Sequence, residues 1–244
     1  MTGGSEASPT HFVANILPLY HGPLVNILIE PSSLEYAISK GLLSAKSPVF
    51  SKMFEGNFLE SQQQTAILKE EESIVSVRSL EALFQSLYLC VIKFDIEDAE
   101  EHMSAAMELV RLGDKYNIVG LDHDMAQYIK GILLANPHPT TNQFYRHIDN
   151  NTYCITRDHI FSATRLPRDH PVRRILAAAS VEGYLRSETH KFAEETQHSH
   201  VFGADVLREV RLALNGIKPV RGATFEDPIT GVRSELDSVG LFWD

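Results

Sequence analysis

Apolar and polar positions change period several times along the chain, and each change marks an element. Across residues 24–30, Val25, Ile27 and Ile29 alternate with Asn26 and Glu30, which predicts a strand with one buried face. Pro31-Ser32-Ser33 supplies a turn. Leu34, Tyr36 and Ile38 then alternate with Glu35 and Ser39, so a second strand is expected to return antiparallel as a hairpin. Helical spacing takes over afterwards. Ser47 suits an N-cap and Pro48 the first helical position, where its missing N–H costs nothing. Phe50, Met53 and Phe54 share one face at spacings of three and four, and Gly56-Asn57 stops the helix. Residues 65–68 read as a third strand, and a helix over 79–92 carries Leu83, Phe84, Leu87 and Tyr88.

Downstream the pattern is helical throughout. Residues 122–135 place Met125, Ile129, Ile132 and Leu133 inward, and the Pro137–Thr141 stretch breaks the helix and provides a linker. A short helix is expected near 142–148 and another over 158–164, with a second break at 167–171. A helix over 172–186 carries Val172, Ile175, Leu176 and Ala179 on its apolar side and Arg173 and Arg174 on its wet side. Val206, Leu207, Val210 and Leu214 repeat the logic over 205–214, ended by Asn215-Gly216. Residues 217–244 show little periodicity and read as a mostly irregular tail, as do residues 1–10.

The order strand, strand, L-x-x-x-S-P-x-F helix, Met-Phe, then aromatic-x-Glu-Ser resembles the BTB/POZ family of protein-interaction domains. The matching residues are Val25, Lys40, Leu42, Leu43, Ser47, Phe50, Met53, Phe54, Phe58, Glu60 and Ser61. Leu87-Tyr88 stands where the family has L-Y-T-G. The segment 105–121 is similar to its A-D-K-Y-x-I-x-x-L, with Asp114, Lys115, Tyr116, Ile118 and Leu121 matching and Gly113 in place of Ala. The resemblance implies an α+β BTB/POZ fold, a small three-stranded sheet flanked by a helical cluster, followed by an all-α extension. The expected organisation is an N-terminal segment (1–22, partly disordered), the BTB/POZ domain (23–135), the helical extension (136–216) and the tail (217–244).

The resemblance also implies a site. In members that recruit the cullin scaffold of ubiquitin ligases, a hydrophobic-x-Glu triplet at this place presents an apolar side chain to the cullin's helical domain. Phe58, Leu59 and Glu60 are its counterpart here, and an exposed aromatic anchor beside a polar rim is how compact interfaces concentrate their energy. The alternative is that Phe58 closes the junction as a core residue and Glu60 is a solvated charge. Members of the family also dimerise, and Val49, Phe50 and Met53 suit either a core or a dimer seam, with residues 12–20 expected to pack across it. Leu24 and Ser39 replace the acidic residue and the His that support the dimer in many members. Leu89-Cys90 replaces Thr-Gly, so the helix over 79–92 is expected to run long.

Composition narrows the reading. A chain of 244 residues with 43% hydrophobic content can bury one substantial core and a smaller one. A formal net charge of −10, with no basic run, argues against nucleic acid, whose phosphates need Lys and Arg. Residues 12–19 are interrupted by Asn15 and Pro18 and do not read as a signal peptide. No stretch approaches the roughly 18 apolar residues a membrane span needs. The two cysteines, Cys90 and Cys154, sit among apolar neighbours and read as buried free thiols, which suggests the cytosol or nucleus.

His198-x-His200, with His190 upstream, falls short of a four-ligand metal site. Asp114 and Lys115 are helix neighbours that do not face each other and read as surface charges. Residues 69–72 and 97–101 read as acidic stretches at helix N-terminal turns, with Asp98 capping a helix that runs to Tyr116, rather than as docking sites for a basic partner. No cofactor, metal or nucleophile motif is expected. The expected function is an adaptor or scaffold with protein partners, a cullin and a client among them, or a self-associating homodimer. An unrecognised enzyme is the remote alternative.

Overall fold

The computed structural model describes residues 14, 16–139, 147–214 and 223–236. They divide into two compact units, one holding residues up to Phe94 with Arg111–Leu121, the other Asp95–Val110 with residues from Asp122 onward.

In the first unit, a short helix α1 (Leu17–Tyr20) precedes β1 (Leu24–Glu30) and β2 (Leu34–Ser39). These strands pair antiparallel, from Leu24 opposite Ser39 to Ile29 opposite Leu34, as the alternation predicts. Val25, Ile27 and Ile29 are buried. Next come α2 (Lys40–Lys46), α3 (Pro48–Glu55) and α4 (Leu59–Gln63), and then β3 (Thr65–Lys69). β3 pairs parallel to β1 on its other edge, giving the order β2-β1-β3. A parallel neighbour needs a crossover, and the three helices supply it.

The helix expected over 79–92 is α5 (Val77–Leu89), opened by a capping box between Ser76 and Ser79. It does not run long. Cys90 takes the left-handed conformation (φ 53°), and its N–H reaches Ser86 O at 3.0 Å, so it closes the helix as glycine usually does. That conformation also leaves Cys90 exposed, correcting the expectation of two buried thiols. Cys154 is buried, and burial pushes its thiol up to about 11.

The helix expected from Asp98 to Tyr116 is α6 (Ala99–Lys115), and α7 (Leu121–Ala135) follows it. Asp98 Oδ1 accepts from Glu101 N–H at 2.8 Å, the expected cap. After α6, Ile118 N–H returns to Gly113 O at 2.9 Å, and Asn117 adopts φ 49°. A Cβ on Gly113 would stand 2.7 Å from Leu121 Cδ2, so the leucine fills the space that the family's alanine would use.

The second unit is built mainly from α7, a 3₁₀ turn (Asn150–Thr152), α8 (Arg157–Thr164), α9 (Pro171–Ala179), α10 (Val181–Arg186), α11 (Ala193–His198) and α12 (His200–Leu214). The helix expected over 172–186 breaks at Ser180, whose hydroxyl bonds Leu176 O at 3.2 Å. Arg173 is not on a wet side. It is 8% exposed, and its Nε and Nη2 donate to Asp205 Oδ2 of α12 at 2.9 and 2.7 Å. Its Nη1 donates to Leu166 O at 3.0 Å. Arg174 does reach outward, pairing with Glu209 at 3.0 Å. α8 opens on a capping box in which His159 replaces the usual Glu: its Nδ1 accepts from Thr156 N–H at 3.0 Å. Burial lowers the His159 pKa to about 4, so the ring stays neutral beside Ser104 Oγ, 2.9 Å from Nε2.

The tail is not irregular throughout. β4 (Ala223–Glu226) and β5 (Arg233–Leu236) form an antiparallel hairpin. Asp227, fully buried, holds the turn by accepting from the N–H groups of Ile229 and Thr230 at 2.9 and 2.8 Å. Its other oxygen accepts from Asn151 Nδ2 at 2.7 Å, tying the hairpin to the 3₁₀ turn. The strands are too short for alternation to reveal, which is why the sequence read as irregular. Expectations for residues 1–10, most of 142–148 and Asn215-Gly216 lie outside the described residues.

Candidate functional site

The turn between α3 and α4 is fixed from both ends. On the α3 side, Ser47 Oγ accepts from Phe50 N–H at 3.0 Å and donates to Tyr116 O. The Phe50 ring stacks on Tyr116 at 4.7 Å with 6° between planes, and Phe54 is buried one turn on. Gly56 ends the helix where nothing larger fits: a Cβ there would lie 2.4 Å from Lys52 O and 3.1 Å from the Phe58 ring. On the other side, Gln64 closes α4 in the left-handed conformation (φ 52°). Its amide donates to Ser61 O and to Phe54 O, the latter at 3.4 Å.

Between these anchors the chain presents Phe58 and Leu59 to solvent, 57% and 62% exposed, while Glu60 is half-buried in the first turn of α4. Phe58 is therefore not a core residue closing the junction. Its ring leans on Gly56 and leaves its outer face open. Gly56→Ala is expected to cost roughly 1–3 kcal/mol, because the obstructing atom is backbone and cannot rotate away. Urea denaturation checks this, and a loss below about 0.5 kcal/mol would mean that the turn flexes to admit a methyl group.

The residues expected at a dimer seam separate. Phe50 is fully buried within its own unit and has no surface to offer, whereas Val49 and Met53 are half-buried on α3. Residues 17–20 pack on their own unit: Tyr20 meets Tyr88 edge-on at 5.8 Å, and Leu19 lies against Gly41. The two departures that bear on the dimer are cross-strand partners, Leu24 opposite Ser39. Leu24 is 55% exposed. Ser39 is buried and works as the cap of α2: its Oγ accepts from Leu42 N–H at 3.3 Å and donates to Leu19 O, and its N–H donates to Tyr88 Oη at 2.9 Å.

Of the acidic stretches singled out in the sequence, residues 69–72 do not open a helix: Lys69 ends β3 and Glu71 bridges to Val75 before α5 begins at Val77. Lys115 ion-pairs with Glu71 and not with Asp114. His198 ends α11, with its Nδ1 2.8 Å from Glu194 O, and His200 opens α12, so the pair spans a helix junction. His190 is buried edge-on against Tyr184, and burial lowers its pKa. Among the described residues, no three His, Cys, Asp or Glu side chains are grouped to hold one metal ion.

One site had no signature in the sequence. A cavity of about 450 Å³ in the second unit is lined by Arg157, Phe161, Glu194, Glu195, His198 and Ser199. Its residues come from α8 and from α11 with its C-cap Ser199, separated in sequence by two further helices, so no local spacing announces it.

Residues 21–133 match the BTB/POZ domain. No curated protein matches the chain. No helix among the described residues is long and apolar enough to cross a membrane.

Proposed function

Residues 21–133 are a BTB/POZ domain, a protein–protein interaction module, followed by a helical C-terminal region, and from that premise we propose that the chain is an adaptor recruiting a cullin. The contact would be made by Phe58, Leu59 and Glu60. What supports this reading is the pairing of two exposed apolar side chains with a rigid turn, in register with the domain. Held between Gly56 and Gln64, Phe58 and Leu59 need little ordering on binding, so more of their contact energy appears as affinity. BTB domains are typically non-catalytic, and binding explains these residues without chemistry. The helical region would carry the client, in the cytosol or nucleus where cullins act. A pull-down with the N-terminal helical domain of a cullin tests the reading: retention is expected, and its absence overturns the cullin assignment.

A second reading is a self-associating scaffold without a ubiquitin role, favoured by the half-buried Val49 and Met53 on α3 and the exposed Leu24 at the sheet end. Light scattering at micromolar concentration is expected to give twice the monomer mass under this reading. A strict monomer removes it.

A further inference from the structure

Two imidazoles meet where the chain leaves α7 and enters the 3₁₀ turn. The His138 and His147 rings are stacked, with 3.8 Å between centroids and 6° between planes, and Tyr153 meets His138 edge-on at 5.4 Å. His147 Nδ1 accepts from Asp149 N–H at 3.2 Å, so the ring is neutral with its proton on Nε2. Lys191, between α10 and α11, brings an ammonium to the same turn. Its Nζ donates to Thr152 O and Tyr153 O, both at 2.9 Å, and its N–H to Asp149 Oδ1 at 3.1 Å.

A line of hydrogen bonds joins the stack to the C-terminal hairpin. His138 N–H donates to Asn150 Oδ1 at 3.2 Å, Asn150 Nδ2 to Asn151 Oδ1 at 3.3 Å, and Asn151 Nδ2 to Asp227 Oδ2 at 2.7 Å. Asn150, Asn151 and Asp227 are buried, as are Phe225 and Ile229 flanking Asp227. Buried polar groups have no water to turn to when one link opens, so the line holds or opens as a unit.

A proton is poorly received here. On His147 it lands on Nδ1 and turns the acceptor of Asp149 N–H into a second donor. On His138, burial, the stacked His147 and the Lys191 ammonium hold the pKa below the ordinary 6.5, with Asp149 working the other way. The other titratable groups around these residues are Cys154 and Glu100, which interact with Lys191, and His190, which interacts with Asp149 and Glu195 and is itself lowered by burial. Of all these, the histidines are the side chains whose ordinary titration falls between about pH 5 and 8.

We infer that the His138–His147 stack is an acid-sensitive clasp: in mild acid it parts, and the 3₁₀ turn and the β4–β5 hairpin loosen with it, baring Phe225 and Ile229. The inference rests on the second unit alone and on neither reading of the BTB face. A ring that takes up a proton more readily in the open state than in the closed one favours opening as protons are added. The clasp is therefore at full strength above the ordinary 6.5 and weakens as the pH falls from there through the lower value of the closed state.

The test is hydrogen–deuterium exchange of the full chain at about pH 7.5 and about pH 5.5, with labelling times scaled for the intrinsic effect of pH on exchange. Peptides over 147–153 and 223–236 are expected to lose protection about tenfold or more at the lower pH, while α8 keeps its own. His138→Phe keeps a flat ring for the stack, and His147→Asn keeps an acceptor for Asp149 N–H. Neither brings a titrating group, so each variant should be protected at the higher pH and lack the step. If only one variant is unprotected at the higher pH, the other decides. Equal protection of the unchanged chain at both pH values, a step that survives in a variant protected at the higher pH, or loss of protection in both variants at the higher pH would overturn the proposal. So would an equal loss over α8, which would mark global unfolding.

Discussion

Replacing Phe58 and Glu60 together by alanine is expected to abolish cullin capture, a loss on the order of 30-fold or more, while the thermal melt barely moves. The size follows from anchors of this kind, whose truncation typically costs about 2 kcal/mol or more. The intact melt follows from exposure. At 57% exposure, Phe58 keeps the larger part of its surface in solvent, so its removal opens no enclosed cavity. Among the described residues Glu60 engages in no ion pair, so its truncation strands no cation there. Stability change should stay within about 0.5 kcal/mol. Undiminished capture by the double variant would sink the cullin assignment. A collapsed melt would mean that the Phe58 ring is needed to hold the turn.

The largest stability effect is expected inside the second unit. Asp205→Ala removes the carboxylate that receives two donors of Arg173 and leaves a guanidinium that is 8% exposed with only Leu166 O. An uncompensated buried charge costs roughly 3–5 kcal/mol, here toward the lower end because Asp205 is partly reached by solvent. The companion variant, Arg173→Met with Asp205→Leu, should recover most of the loss, since an apolar pair of similar volume needs no solvation. Because the chain has two units and its unfolding need not be a single step, hydrogen exchange in α9 and α12 is the appropriate readout. A loss below about 1 kcal/mol for Asp205→Ala would mean that Arg173 finds water in its place.

What the sequence revealed, and what it hid, follows from the range of the interactions. The β1–β2 hairpin was legible because a strand with one buried face writes its period into adjacent residues, as Val25, Ile27 and Ile29 do. The α3 helix was legible from Ser47-Pro48 and the Phe50–Phe54 face, and its end from Gly56. Arg173 was misplaced because its partner lies 32 residues on in another helix; a charged residue beside a second arginine reads as solvated until Asp205 is brought to it. The β4–β5 hairpin escaped for a different reason, since strands of four residues are too short to write a period into the sequence. Phe58, Leu59 and Glu60 stand out only through the family resemblance, and the fold adds that two of them are exposed. The cavity at Glu195 could not be found that way, because its residues are assembled only by the packing of α8 and α11.

The left-handed residue that closes α5 has a practical consequence. Cys90 is exposed, whereas the other cysteine, Cys154, is 1% exposed with its thiol raised to about 11. Since thiolate fraction and access together set the rate of alkylation, the folded protein offers a maleimide fluorophore one ready attachment point beyond the last turn of that helix. The natural sequence thus carries its own optical handle, with no cysteine to add or remove.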